Sequence, residues 1–144
     1  MFLPDVNVWL ALAFQSHARH AAAKAWIETA SLRSCCFCRV TQMSFLRLST
    51  NRSVFPSDAL PLNKAWEVYQ QLLSDHHVVF AEEPDAVETT WRAMTQHVTH
   101  STNVWTDAYL AAFAQAADFE IVTFDKGFLQ YMGTRCMILS DIPQ

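Results

Sequence analysis

Ile121-Val122-Thr123-Phe124-Asp125-Lys126-Gly127-Phe128 decides how the fold is read. A short run of β-branched and aromatic residues closes abruptly on an aspartate, the pattern of a buried strand with a polar group at its carboxyl end. Just before it, Val104 to Ala117 is apolar nearly all round, as a central buried helix is. The amino terminus repeats this arrangement in reverse order. Met1 to Leu3 reads as a short strand ending at Pro4-Asp5, and about Val6 to Ala13 reads as the helix that follows.

Between these ends, short apolar runs alternate with helical patterns. Ala22, Ala23, Trp26, Ile27 and Ala30 share one face of a helix within Arg19 to Ala30, and Cys35 to Cys38 is a strand. Thr41 to Thr50 is helical with Met43 and Leu46 on one side. From about Pro61 to Leu73 a helix carries an apolar stripe of Leu62, Trp66, Tyr69 and Leu73. Val78 to Phe80 is a strand. Pro84-Asp85 opens a helix striped by Val87, Trp91, Met94 and Val98, and Cys136 to Leu139 is the last strand. Such alternation predicts an α/β fold: a short, mainly parallel central sheet covered by helices on both faces, three layers in all. With 144 residues and neither linker nor repeat, the chain is expected to form a single domain over residues 1–144.

Composition narrows the chemistry. Apolar residues make up 51% and charged residues 17%, enough for a packed core. The only two glycines, Gly127 and Gly133, exclude a glycine-rich phosphate loop, and with it Rossmann and P-loop chemistry. The formal charge of −4 is unevenly spread: six bases against Glu28 alone between Gln15 and Arg52, and five acids without a base between Asp75 and Thr90. A basic flank beside an acidic site can guide a polyanion, although a solvated surface of uneven charge is the plainer reading. Val8 to Phe14 is too short for a membrane span and lacks the basic lead of a signal peptide. With three of four cysteines crowded into Cys35, Cys36 and Cys38, reduced thiols, a cytoplasmic location and no membrane partner are expected.

In open parallel sheets functional groups collect beyond the carboxyl ends of the strands. Asp5 and Asp125 stand at two such ends, and Asp107 sits in the first turn of the most apolar helix. Singly, each has a plain role: Asp5 as a helix N-cap, Asp107 as a dipole partner, Asp125 as a turn residue. Together, three carboxylates with apolar flanks at one sheet edge repel one another unless a divalent cation holds them. Oxygen-only ligation suits Mg²⁺, with Mn²⁺ able to substitute, and such a cation activates water and polarises a phosphate.

Leu3-Pro4-Asp5-Val6-Asn7-Val8, Ser101-Thr102-Asn103-Val104-Trp105-Thr106-Asp107-Ala108-Tyr109-Leu110-Ala111-Ala112 and Ile121 to Phe128 resemble, in that order and spacing, the PIN domain. More closely, they resemble the VapC toxins of bacterial type II toxin–antitoxin pairs, as does His17-Ala18-Arg19-His20-Ala21-Ala22-Ala23 with Trp26. The resemblance implies a Mg²⁺-dependent endoribonuclease, commonly a homodimer, acting on RNA and neutralised by a small cognate antitoxin over its active site. It assigns direct metal contact to Asp5 and Asp107 and makes Asp125 a further acidic or water-mediated ligand. Asn7 and Asn103 become polar supports on the substrate side, with Thr123 hydrogen-bonding Asp5 across adjacent strands. The family usually carries a glutamate where Thr41-Gln42-Met43-Ser44-Phe45-Leu46-Arg47 places Gln42. Glutamine offers an oxygen but neither a charge nor a base, so one tight metal is expected and a full two-metal mechanism is not.

Arg47, about a turn beyond Gln42, is expected to hold an RNA phosphate or to pair with a carboxylate. Arg19 and Arg39 are further candidates for the RNA backbone. His17 and His20, His97 and His100, and Cys35 with Cys38 each have a spacing that tempts a zinc reading. None has the full ligand pattern, and packing or surface roles are expected for them. The tryptophans are expected in the core or at an interface rather than stacked on bases. Two rival functions remain: a PIN-like fold with weakened catalysis that binds RNA or protein, kept open by Gln42, and a phosphatase using Asp5 as nucleophile, weakened by Asn7 where a second aspartate belongs.

Overall fold

The computed structural model describes residues 1–98 and 100–140. Strands β1 (Phe2–Pro4), β2 (Cys35–Phe37), β3 (Val78–Phe80), β4 (Glu120–Thr123) and β5 (Arg135–Ile138) make one sheet in the order β3-β2-β1-β4-β5, with every neighbouring pair parallel. Its helices are α1 (Val6–Ala13), α2 (His20–Ile27), α3 (Arg39–Ser49), α4 (Leu62–Leu73), α5 (Val87–Thr95) and α6 (Val104–Ala117). A 3-10 turn, Lys126–Gln130, follows β4.

A parallel sheet must be covered on both faces, and successive strand residues supply the two covers. Val122 and Phe37 face a cluster with Trp9, Phe14, Trp26, Phe45 and Tyr69, drawn from α1 to α4. Their neighbours Ile121 and Cys36 face the other way, into a cluster with Val87, Leu110 and Phe113 of α5 and α6. These are the expected three layers. Helix α6 supplies seven consecutive buried residues, Ala108 to Ala114, while its first turn stays open to solvent.

Two expected stripes are corrected. In α4 it is Ala65 and Tyr69 that are buried, whereas Leu62 and Trp66 are 72% and 54% exposed. In α3 the inward face is Thr41, Gln42, Phe45 and Ser49, and Met43 points outward. The reason is shared: Tyr69 meets Phe37 edge-on at 5.0 Å, and Phe45 does the same at 6.3 Å. Docking these rings on Phe37 fixes the rotation of both helices and turns the other apolar residues out.

Candidate metal and phosphodiester site

The β1–β4 pairing sets Pro4 beside Val122, so the residues after each strand leave the sheet at one edge. Asp5 caps α1: its Oδ1 accepts from the Val6 amide at 2.6 Å, and its own amide donates to the Val122 carbonyl at 2.8 Å. Asp125 caps the 3-10 turn, accepting from the Gly127 amide at 2.7 Å. Asp5 is thus the expected helix N-cap, and Asp125 the expected turn residue. Capping engages one carboxylate oxygen of each.

At Asp5 the second oxygen is held by Thr123, whose hydroxyl donates to Oδ2 at 3.1 Å. Thr123 is wholly buried, and its oxygen also accepts from the Asp125 amide at 3.0 Å and from the Asn7 side-chain amide at 3.1 Å. A single hydroxyl thus ties together β1, α1, β4 and the residue opening the 3-10 turn. The expected Thr123–Asp5 contact is present, and Asn7 belongs to the same network.

Electrostatics bring Asp107 into the group. Burial pushes the Asp5 carboxyl up to about 6; the bonds from Val6 and Thr123 oppose the rise, and the charges of Asp107 and Asp125 add to it. Asp107 is likewise raised, by burial and by Asp125. Like charges in a poorly solvated site are costly, and a cation among them is the remedy that needs no proton. The oxygens of the three are not all within 4.8 Å of one another; among the described residues only Asp75, His76 and His77 form so tight a group.

One residue of this neighbourhood escaped the sequence reading. Tyr131, 6% exposed, has a hydroxyl without a hydrogen-bond partner among the described residues, and the charges of Asp107 and Asp125 help to raise its pKa. A buried orphan donor beside two carboxylates suits a site made for a hydrated cation or a phosphate oxygen. Nothing in the sequence singles Tyr131 out.

Gln42 is buried in α3, its side-chain oxygen accepting from Arg39 Nη1 at 2.5 Å and its side chain bonding the Tyr69 hydroxyl; among the described residues no hydrogen bond joins it to an aspartate. Asn103 is exposed at the start of α6 and caps it with no side-chain bond. Arg47 is exposed and lines a cleft of 550 Å³ with Met43, Ser44 and Thr106, the residue before Asp107. Arg39 lies over the Phe80 ring at 5.0 Å and Arg19 over Phe124 at 4.9 Å. Cys35, Cys36 and Cys38 are buried free thiols with raised pKa values, as packing residues are. His20 Nδ1 lies 2.8 Å from the Ala11 carbonyl, a packing role. Trp9 and Trp26 are core, but Trp105 is 58% exposed and lines a 670 Å³ cleft with Trp91, Glu88 and Tyr109.

The PIN domain, as a sequence family, matches residues 2–133. The chain belongs to the PIN-domain family. It is of the VapC type: Ribonuclease VapC41 of Mycobacterium tuberculosis is 44% identical over 145 residues, covering 97% of this chain and 99% of that protein. Ribonuclease VapC38 of the same organism is 31% identical over 128 residues, covering 88% and 86% of the two chains. Among solved structures, this PIN-domain chain is similar to VapBC2 from Rickettsia felis bound to a promoter DNA fragment, with a TM-score of 0.69 at 9% identity, covering 96% and 98% of the two chains. VapC20 of Mycobacterium tuberculosis, described as a sarcin–ricin loop cleaving toxin, superposes with a TM-score of 0.68 at 18% identity, covering 94% and 99%. At those identities the structural likeness speaks for the PIN fold.

Proposed function

We propose that this chain is a divalent-metal-dependent endoribonuclease, the toxin of a toxin–antitoxin pair, acting at Asp5, Asp107 and Asp125. The observation that supports the reading is that Asp5 and Asp125 stand where the paired strands β1 and β4 leave one edge of the sheet, with burial raising the Asp5 carboxyl to about 6 and the charges of Asp107 and Asp125 adding to that rise. Mg²⁺, or Mn²⁺ in its place, would be held by Asp5 and Asp107, with Asp125 as a further, water-mediated ligand; when bound it supplies Lewis acidity and an activated water for phosphodiester hydrolysis, leaving 3′-hydroxyl and 5′-phosphate ends.

The protein contributes position. Thr123 and the Val6 amide hold both Asp5 oxygens, so the carboxylate is oriented before any ligand arrives. Asn7, which donates to Thr123, is a polar support of the site on its substrate side. Tyr131 contributes a buried hydroxyl with no hydrogen-bond partner among the described residues, within the electrostatic reach of Asp107 and Asp125. Arg47, which shares its cleft with Thr106, binds a backbone phosphate, and exposed Asn103, at the start of α6, is a second polar candidate for the substrate side. The ribonuclease names of its relatives support RNA as substrate. The toxin–antitoxin complexes of similar fold support a small antitoxin partner. The exposed Trp105, edge-on to Trp91 at 6.0 Å, supports a protein-binding face on this chain, for antitoxin or for a second copy in a homodimer. No helix among the described residues is long and apolar enough to cross a membrane, in keeping with a cytoplasmic site of action.

The test is cleavage of total RNA by the purified chain with Mg²⁺, with Mn²⁺ and with chelator, beside Asp5→Asn and Asp107→Asn. Metal-dependent cleavage lost in both variants supports the reading. Binding of RNA without cleavage under any metal leaves the weakened-catalysis alternative that Gln42 favours.

A further inference from the structure

We propose that the turn between α4 and β3 binds a borderline transition-metal cation, of the Zn²⁺ or Ni²⁺ class, through Asp75, His76 and His77. These residues lie just before β3, and so at the amino-terminal edge of the sheet, opposite the edge where Asp5 and Asp125 leave it. One ligand atom from each falls within 4.8 Å of the other two. His77 Nδ1 is 2.8 Å and His76 Nδ1 3.9 Å from Asp75 Oδ1, and the two rings stand 4.0 Å apart at a 38° tilt.

The turn is fixed from several sides. Asp75 Oδ1 accepts from the His77 amide at 2.8 Å, and the Asp75 carbonyl accepts from the Val78 amide at 2.9 Å. The carbonyls of His76 and His77 accept from the amides of Arg33 and Cys35, each at 2.9 Å, which clamps both histidines to the start of β2. The ligand set therefore needs little ordering on binding. His77 is only 14% exposed at its side chain, whereas His76 is 69% exposed, so one ligand is anchored and one stands open to incoming ions.

Two imidazole nitrogens and one carboxylate oxygen match the preference of Zn²⁺, Ni²⁺ and Cu²⁺, not that of Mg²⁺, with water completing the coordination. The molecule would then carry two sites of different chemistry: hard, all-oxygen ligation at the aspartates and imidazole-rich ligation at the far edge. A cation bound only by the folded turn stabilises the native state by mass action.

The experiment is titration of the full-length chain with Zn²⁺, and separately with Ni²⁺, followed by the ring ¹⁵N signals of its histidines and by Tm. The expected result is selective shifts of His76 and His77 and a rise in Tm of several degrees. His76→Ala and His77→Ala should each weaken the affinity at least tenfold, while Asp5→Asn leaves it unchanged. His76 is exposed enough that its variant tests ligation without disturbing the fold, and far-UV circular dichroism checks this for both. Shifts confined to His17, His20, His97 or His100, undiminished affinity in His76→Ala, or loss of Zn²⁺ binding in Asp5→Asn would each overturn the assignment. Since the readout is not RNA cleavage, failure here leaves the nuclease reading standing, and the converse holds.

Discussion

The hydroxyl of Thr123 donates to Oδ2 of Asp5 at 3.1 Å across the parallel β1–β4 pair. Through the same oxygen Thr123 accepts from Asn7 and from the Asp125 amide, so removing it strips partners from three positions at once. Thr123→Val keeps the shape and deletes the hydroxyl. We expect a loss of about 1–3 kcal/mol in urea unfolding and a higher Mg²⁺ requirement for cleavage, both largely restored by Thr123→Ser. An unchanged Mg²⁺ requirement in the valine variant would mean that the hydroxyl does not orient Asp5.

The raised Asp5 carboxyl has a defined sign in stability. Its folded pKa, about 6, lies above its ordinary value of 3.8, so between these the native state holds more protons than the unfolded one. Stability contributed by the protonated form is present below pH 3.8 and lost as pH rises through about 6. A two-unit shift corresponds to about 3 kcal/mol as an order of magnitude. Asp5→Asn should accordingly raise Tm at neutral pH without divalent metal, and the gain should shrink toward pH 4. With Mg²⁺ limiting, cleavage by the wild type should climb as pH passes upward through about 6, because metal and proton compete for this carboxylate. A Tm for Asp5→Asn that stays below wild type at every pH would show that burial of the charge is not the dominant cost.

Gln42 engages Arg39 and Tyr69, and this dictates what restoring a glutamate would do. In Gln42→Glu the new carboxylate pairs with Arg39 first. We expect the Mg²⁺ affinity to change less than about threefold, the Arg39 partner absorbing the charge. A gain of tenfold or more would place this side chain at the metal.

Tyr131 should separate stability from function. Its hydroxyl is buried without a partner among the described residues, so Tyr131→Phe removes an unsatisfied group and should leave Tm equal or slightly higher in metal-free buffer. The same variant should cleave RNA more slowly at saturating Mg²⁺. Equal rates would relegate the hydroxyl to a packing defect.

Arg47 is exposed on the cleft it shares with Thr106. Arg47→Ala should raise the KM for RNA several-fold with little change in kcat. It should also reduce the slope of log affinity against log salt by about 0.7, the contribution of one phosphate contact on a single strand. A fall in kcat alone would move Arg47 from substrate binding to the reaction itself.

The layered fold was legible because its signals are local: β-branched runs such as Ile121-Val122, an apolar helix before them, and aspartates where strands stop. The Thr123–Asp5 pair was legible only through the resemblance to the PIN domain, since the pairing of β1 with β4 is a long-range contact that the local signals do not carry. Helix rotation was not. Tyr69 of the expected stripe is buried, but Leu62 and Trp66 fit that stripe as well as Ala65 does, and only the aromatic packing on Phe37 decides between them. The surroundings of Gln42 were hidden for a related reason: position in α3 says where its backbone lies, while Arg39 and Tyr69 determine where its amide turns. Tyr131 gave no warning, because an aromatic residue after a turn usually packs, and its unpaired hydroxyl emerges only from the full set of neighbours.

The most direct test of the three-aspartate site is anomalous diffraction from crystals of the chain grown with Mn²⁺. The account predicts a peak in direct contact with carboxylate oxygens of Asp5 and Asp107 and within one water of Asp125, lost in Asp107→Asn. A fully occupied Mn²⁺ elsewhere, with Asp5 still bonded only to Val6 and Thr123, would contradict it.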